Sequence, residues 1–253
     1  MTFPAKDRAA FMTALAELNP DPKSELNFTT PYELLVAVML SAQATDKGVN
    51  IATAKLFPVA NTPEKIVALG EEGLVSYVNS INFFRNKAKH ILAASRILIE
   101  RHGGEVPRTM EELTALPGVG RKTANVVLNV AFGEGTVAVD THIFRVCNRT
   151  GFAPGKTPDE VEAKLLKVVP DEFLRNAHHW LLLFGRYLCK ARKPECTRCP
   201  VAKWCSAPEK AAALEEAADL KPGSPARKPA RKTAASTKTV KAASKRTTKK
   251  SGE

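Results

Sequence analysis

The chain has 253 residues, 44% of them hydrophobic, and a formal charge of +12. That length can bury one or two compact cores, the apolar content is ordinary for a globular protein, and the excess of cations points to a polyanionic partner. No apolar run reaches the roughly 18 residues of a membrane span, and Met1 to Asp21 lacks the apolar centre of a secretory signal. A soluble, cytoplasmic protein is therefore expected, and in that reducing compartment five cysteines read as metal ligands or buried thiols rather than disulfides.

The charge is unevenly placed. Between Lys221 and Glu253 there are eleven Lys and Arg against one Glu, which is +10 of the +12 and leaves +2 for residues 1–220. This stretch has almost no large apolar side chain, so it cannot bury enough surface to offset its ordering entropy. A disordered, Lys- and Ala-rich tail over 208–253 is expected, either a salt-sensitive tether for nucleic acid or a merely solvated end.

In chain order, Phe11, Leu15 and Leu18 recur at helical spacing until Pro20 and Pro22 forbid continuation. Thr30 to Glu33 forms a capping box with Pro31 at the first helical position, and it opens the run Leu34 to Leu40, apolar on every face and so central. The loop Ser41 to Asp46 that follows is small and polar. Gln43 there can offer a donor and an acceptor to a base edge, or the segment is a plain polar turn.

Helices are expected over 49–56, 63–69 and 71–78. The adjacent pair Phe83-Phe84 then sits between polar residues, beside Arg85 and Lys87. Neighbours on a helix point about 100° apart, so one ring can be core while the other faces out to wedge into a base stack; both rings being core is the plainer reading. An amphipathic helix over 87–102 closes at Gly103-Gly104.

Leu116-Pro-Gly-Val-Gly-Arg-Lys122 is the stretch around which the rest is organised. A capping box at Thr109 to Glu112 announces the helix before it, and the helix Thr123 to Val130 follows. Gly118, Val119 and Gly120 thus form a hairpin between two helices (about 109–129), with outward backbone N–H groups at the positive end of a helix dipole, where a phosphate fits. A side chain at either glycine would strain a positive-φ turn or hold a phosphodiester at a distance. Gly-x-Gly alone is weak, but Lys122 in the next turn adds a charge contact or a nucleophile.

Val137 to Val139 reads as short and extended, Asp140 opens the helix 141–147, a capping box at Thr157 to Glu160 precedes a helix over 161–168, and the last long helix runs over 172–188. Nearly every segment has the helical period, so the fold class is all-α. Asp140 is either a helix N-cap or a carboxylate that steadies positive charge at a breaking glycosyl bond. Lys122 can attack such a sugar carbon if a cationic neighbour or burial keeps some amine neutral; Arg121 and the helix N-terminus are the nearby sources. Cys189, Cys196, Cys199 and Cys205 follow C-x6-C-x2-C-x5-C, a metal centre of zinc or iron and sulfur. Lys190, Arg192, Lys193, Arg198 and Lys203 stud the same loop as candidate phosphate contacts. Cys147 lies outside the pattern and reads as a buried thiol.

Leu116 to Val127 (LPGVGRKTANVV), Val139 to Val146 (VDTHIFRV), Ser41 to Asp46 (SAQATD) and the cysteine spacing together resemble the endonuclease III family of helix-hairpin-helix DNA glycosylases, collinearly over residues 5 to 207. The resemblance implies a bifunctional enzyme that removes oxidised pyrimidines from double-stranded DNA and cleaves abasic sites through a lysine Schiff base. It implies Lys122 and Asp140 as the catalytic pair, and a [4Fe-4S] cluster on Cys189, Cys196, Cys199 and Cys205. Gln43 would fill the gap left by the extruded nucleotide, while Leu116, Gly118, Val119, Gly120, Arg121 and Lys193 would contact DNA. The family's Gly-Leu-Tyr or Gly-Phe-Tyr wedge meets Asn82-Phe83-Phe84 here, which assigns the wedge to Phe83 without its glycine. The implied architecture is a six-helix barrel over 24–134 and a cluster lobe from 1–23 and 135–207, working as a monomer away from membranes. The competing readings are a mismatch adenine glycosylase, which lacks the lyase lysine and adds a large C-terminal domain, and a non-catalytic DNA-binding module.

Overall fold

A computed structural model describes residues 3–219. The helices are α1 (Arg8–Leu18), α2 (Pro31–Ser41), α3 (Asp46–Leu56), α4 (Pro63–Val78), α5 (Phe84–His102), α6 (Met110–Thr114), α7 (Arg121–Phe132), α8 (Thr141–Thr150), α9 (Pro158–Val168), α10 (Asp171–Tyr187) and α11 (Pro208–Asp219); no strand occurs among the described residues. Their starts are chemically alike. Thr30, Thr62, Thr109 and Thr157 each accept, through Oγ1, the N–H of the residue three positions on, at 3.1 to 3.3 Å, and each such cap is worth about 1 kcal/mol. The segments 63–69 and 71–78 form one element with a kink at Gly70, whose φ of 72° only glycine adopts cheaply.

Two hydrophobic cores result. The first gathers α2 to α7 around α2, in which every residue from Tyr32 to Leu40 is buried. The second gathers Phe11, Met12 and Leu15 of α1 with α8, α9 and α10, and reaches Cys189 and Val201. Helix α7 is the seam between them. The buried Asn129 donates through Nδ2 to the carbonyls of Glu134 (2.8 Å), Thr136 (3.1 Å) and Arg175 (2.9 Å), and Thr136 returns a bond to the Asn125 carbonyl. These bonds fix how the chain turns from the first core into the second, through the buried stretch Val137 to Val139.

The expected start of the tail at 208 is corrected by α11. Its sequence, rich in Ala and Glu behind a proline, favours a helix, and it is tied down: Glu209 pairs with Arg149 at 2.6 Å, and Lys210 Nζ donates to the carbonyls of Ala202 (2.8 Å) and Cys205 (3.2 Å). The remainder of the expected tail, from Leu220 on, lies outside the described residues. No described helix is long and apolar enough to cross a membrane.

Candidate active site and cluster-binding loop

Between the two cores runs a cleft of about 290 Å³ lined by both. On one wall the first intrahelical bond of α7 goes from the Ala124 N–H to the Gly120 carbonyl, so the N–H groups ahead of it face outward and Lys122 stands in that first turn, exposed. The two hairpin glycines differ. Gly118 has φ 77°, and a Cβ there would lie 2.7 Å from His90 Cβ, so the fold itself requires glycine. Gly120 is extended (φ −92°) and a Cβ would meet nothing within 4 Å. Nothing inside the chain asks for glycine at 120; what benefits is an approach from solvent.

On the other wall Asp140 is the N-cap of α8. Its Oδ1 accepts the N–H groups of His142 (2.9 Å) and Ile143 (2.8 Å), which leaves Oδ2 for the cleft that Asp140 and Lys122 both border. Capping and chemistry thus use different oxygens of one carboxylate. Helix α8 is seated by a close crossing with α10, where a Cβ on Gly185 would lie 2.9 Å from the His142 carbonyl oxygen, and by Arg145 Nη2 donating to the Gly185 carbonyl (2.7 Å).

Deeper in the cleft His178 is 4% exposed. Burial first, then His179 and the charge of Lys122, push its imidazole down to about 3, so it is neutral at ordinary pH. Its Nδ1 has no hydrogen-bond partner among the described residues. Arg186, Asp46 and Glu25 complete the polar lining: Arg186 Nη1 donates to Asp46 Oδ2 at 2.6 Å and to Glu25, and Glu25 also accepts from the Tyr187 hydroxyl. Burial and the neighbouring Asp140 raise the Asp46 carboxyl above its usual range.

The four expected metal ligands come together. Cys189, Cys196, Cys199 and Cys205 border one cavity at the edge of the second core, held by two arginines one turn apart on α8. Arg145 Nε donates to the Cys189 carbonyl (2.9 Å), while Arg149 donates to the carbonyls of Lys190 (2.6 Å) and Ala191 (3.1 Å) and lies 3.7 Å from Cys189 Sγ. Four thiols bordering one space are the donor set of a metal centre, zinc or an iron–sulfur cluster.

Comparison with known proteins agrees with this geometry. Residues 36–171 match the HhH-GPD superfamily base excision DNA repair protein family, and residues 189–205 match the iron-sulfur binding domain of endonuclease III. Endonuclease III of Escherichia coli (strain K12) is 60% identical over 203 residues, 80% of this chain and 96% of that protein. Endonuclease III of Haemophilus influenzae is 61% identical over the same shares. A trapped endonuclease III–DNA covalent intermediate superposes with a TM-score of 0.77 at 43% identity, covering 83% of this chain and 99% of that one. The chain belongs to the endonuclease III family. It is a base-excision DNA glycosylase with abasic-site lyase activity, and it carries a [4Fe-4S] cluster.

Within this endonuclease III fold several sequence-level assignments change. Leu116 (2% exposed) and Val119 (5%) point into the first core, so only their backbone is available to DNA. Arg121 pairs with Glu162 of α9 at 2.6 Å, tying the two cores together instead of standing as a lone cation beside Lys122. Lys87, expected near the DNA-facing aromatics, is buried and caps the end of α2 by donating to the carbonyls of Leu40 (2.8 Å) and Ala42. In the cysteine loop Glu195 pairs with both Lys190 and Arg198, and Lys203 lies over the Trp204 ring at 4.0 Å, while Arg192 and Lys193 form no ion pair among the described residues. Lys193 holds a left-handed backbone (φ 50°) on an exposed turn.

The aromatic pair divides cleanly. Phe83 is 66% exposed with φ 58°, and Phe84 packs against the first core. Gln43 is also exposed and left-handed (φ 55°), and its carbonyl accepts from Asn82 Nδ2 at 3.0 Å. The two loops therefore present Gln43 and Phe83 side by side. Sequence reasoning missed Glu25, Arg186 and His178 altogether and read Asp46 only as the end of a motif; an arginine directly after the apolar run Leu181 to Gly185 was the available signal.

Proposed function

We propose that this enzyme excises oxidised pyrimidines from duplex DNA with Lys122 as nucleophile and Asp140 as its carboxylate partner. The supporting observation is that the two residues, one on α7 and one at the start of α8, border one cleft, with no ion pair among the described residues engaging either side chain. Duplex DNA is gripped by the Gly118–Gly120 hairpin and by Arg192 and Lys193. Phe83 and Gln43 enter the stack as the damaged nucleotide swings out, at the lowest cost where the lesion stacks poorly.

In the cleft the Lys122 amine bonds to C1′ as the bond from C1′ to the base breaks. The electron pair leaves with the base, which takes up a proton, and Asp140 Oδ2 steadies the positive charge on the sugar. Ring opening yields the Schiff base. Loss of a C2′ proton then expels the 3′ phosphate, and water releases the lysine. Cys189, Cys196, Cys199 and Cys205 hold the cluster, which cross-links a loop with little apolar packing of its own. One lobe spans 24–134 and the other 1–23 with 135–207, and the enzyme acts as a monomer on nucleoid DNA in the cytoplasm.

Borohydride should trap a covalent complex on thymine-glycol duplexes and on abasic DNA. Lys122→Ala should abolish trapping; undiminished trapping would refute the assignment. Asp140→Asn keeps a capping oxygen, so the protein should fold and bind while excision falls about 10²–10⁴-fold. Turnover on an adenine mismatch without trapping would instead support the mismatch adenine glycosylase.

A further inference from the structure

We propose that α11 is a clasp on the cluster: its first turn ties together the two ends of the cysteine loop, and this slows the access of oxidants and chelators to the [4Fe-4S] centre. The inference depends on the cluster and not on the chemistry assigned to Lys122 and Asp140. Similarity to the iron-sulfur binding domain stops at Cys205, so α11 lies beyond that unit.

Two adjacent side chains make the tie. Glu209 pairs with Arg149 at 2.6 Å, and Arg149 in turn donates to the carbonyls of Lys190 (2.6 Å) and Ala191 (3.1 Å), directly after Cys189. Lys210 Nζ donates to the carbonyls of Ala202 (2.8 Å) and Cys205 (3.2 Å), at the other end of the loop. Cys196 and Cys199 lie in the chain between these anchors, and α11 also packs against the turn Cys196–Arg198. Ala207, Glu209 and Lys210 border the same cavity as the four cysteines. Of those four only Cys189 is buried, so the second core covers one ligand and leaves three nearer the surface.

A loop with little apolar packing opens locally at small cost, and a solute reaches what it encloses only while it is open. Joining its two ends raises that cost. The tie is polar and not hydrophobic: no residue from 208 to 215 is buried, and Leu214 is 43% exposed. Its ion pair is sheltered on one side, since the Arg149 side chain is 11% exposed, and is therefore screened less than a pair standing in water. Removing two side chains should accordingly release the helix without disturbing a core.

The test uses the full-length, cluster-loaded protein. Glu209→Ala with Lys210→Ala deletes one charge of each sign, so the net charge that an anionic oxidant meets is unchanged. Bleaching of the visible absorbance by ferricyanide, and release of iron to a chelator, should both quicken at least about five-fold. A chain ended after Asp219 keeps the clasp and should bleach at the rate of the full chain. Unchanged rates in the double variant would overturn the proposal, as would an equal acceleration in the chain ended after Asp219. A second measurement needs no variant. In amide hydrogen exchange, residues 208–215 and 190–206 of the unaltered protein should be protected to a similar degree, because they open together; α11 exchanging as unfolded chain beside a protected loop would sink the idea.

Discussion

The two halves of the molecule reach order by different means. The first core closes on itself: α2 is surrounded by α3, α5 and α7, and its residues from Tyr32 to Leu40 are all buried. The second half has a comparable core under α8 and α10, but it includes residues 189–205, which contain nothing more regular than two three-residue 3₁₀ turns. Arg145 and Arg149 hold that loop by its carbonyls. Hydrophobic burial is non-directional and tolerant, whereas coordination is local and all-or-none. The half built by burial carries the hairpin and the exposed Lys122, so its precision lies in backbone geometry. The half that contains the cysteine loop carries Asp140, whose position depends on a cap and a helix crossing.

The strongest way to break this contrast is to remove one ligand. Cys199→Ser should cost the cluster its visible absorbance and open residues 189–207 to proteolysis, while the helices of the first core keep their circular dichroism. Protection of that loop without iron would show that the thiols add little. A smaller effect sharpens the contrast within the hairpin. Gly118→Ala should lose about 1–3 kcal/mol in denaturant unfolding, from left-handed strain and the contact with His90. Gly120→Ala should leave stability nearly unchanged and weaken DNA binding several-fold, measured by salt-dependent titration; equal stability losses would remove the distinction.

The effect that is smallest at neutral pH concerns the cleft between the two cores. His178 is neutral in the fold, with its pKa pushed down to about 3 from an ordinary value of 6.5. Unfolded chain therefore binds the extra proton, so the stability from this group is complete above about pH 6.5 and falls as pH drops toward about 3, by up to about 1.4 kcal/mol per unit. His179 is lowered in the same sense by burial. His178→Gln should flatten the acid limb of thermal stability against pH, and an unaltered limb would assign acid sensitivity elsewhere.

What the amino-acid order determined here is whatever depends on near neighbours. Threonine caps three residues from their acceptors, Pro31, Pro63 and Pro158 at first positions, Gly118 in a left-handed turn and four cysteines in seventeen residues all act within one or two turns of chain. The all-α class, the hairpin and the metal loop could therefore be read directly, whereas the candidate pair Lys122 and Asp140 was implied by the family resemblance. Only the tertiary structure decided which charges stay free, because the answer lies far along the chain. Arg121 meets Glu162 41 residues away and Arg186 meets Asp46 140 residues away, while Lys87 caps a helix 47 residues earlier. It also decided that Phe83 faces out and Phe84 in, and that Pro208–Asp219 form α11 against the cysteine loop. An electrostatic partner or a buried face is set by distance in space, which local pattern does not contain.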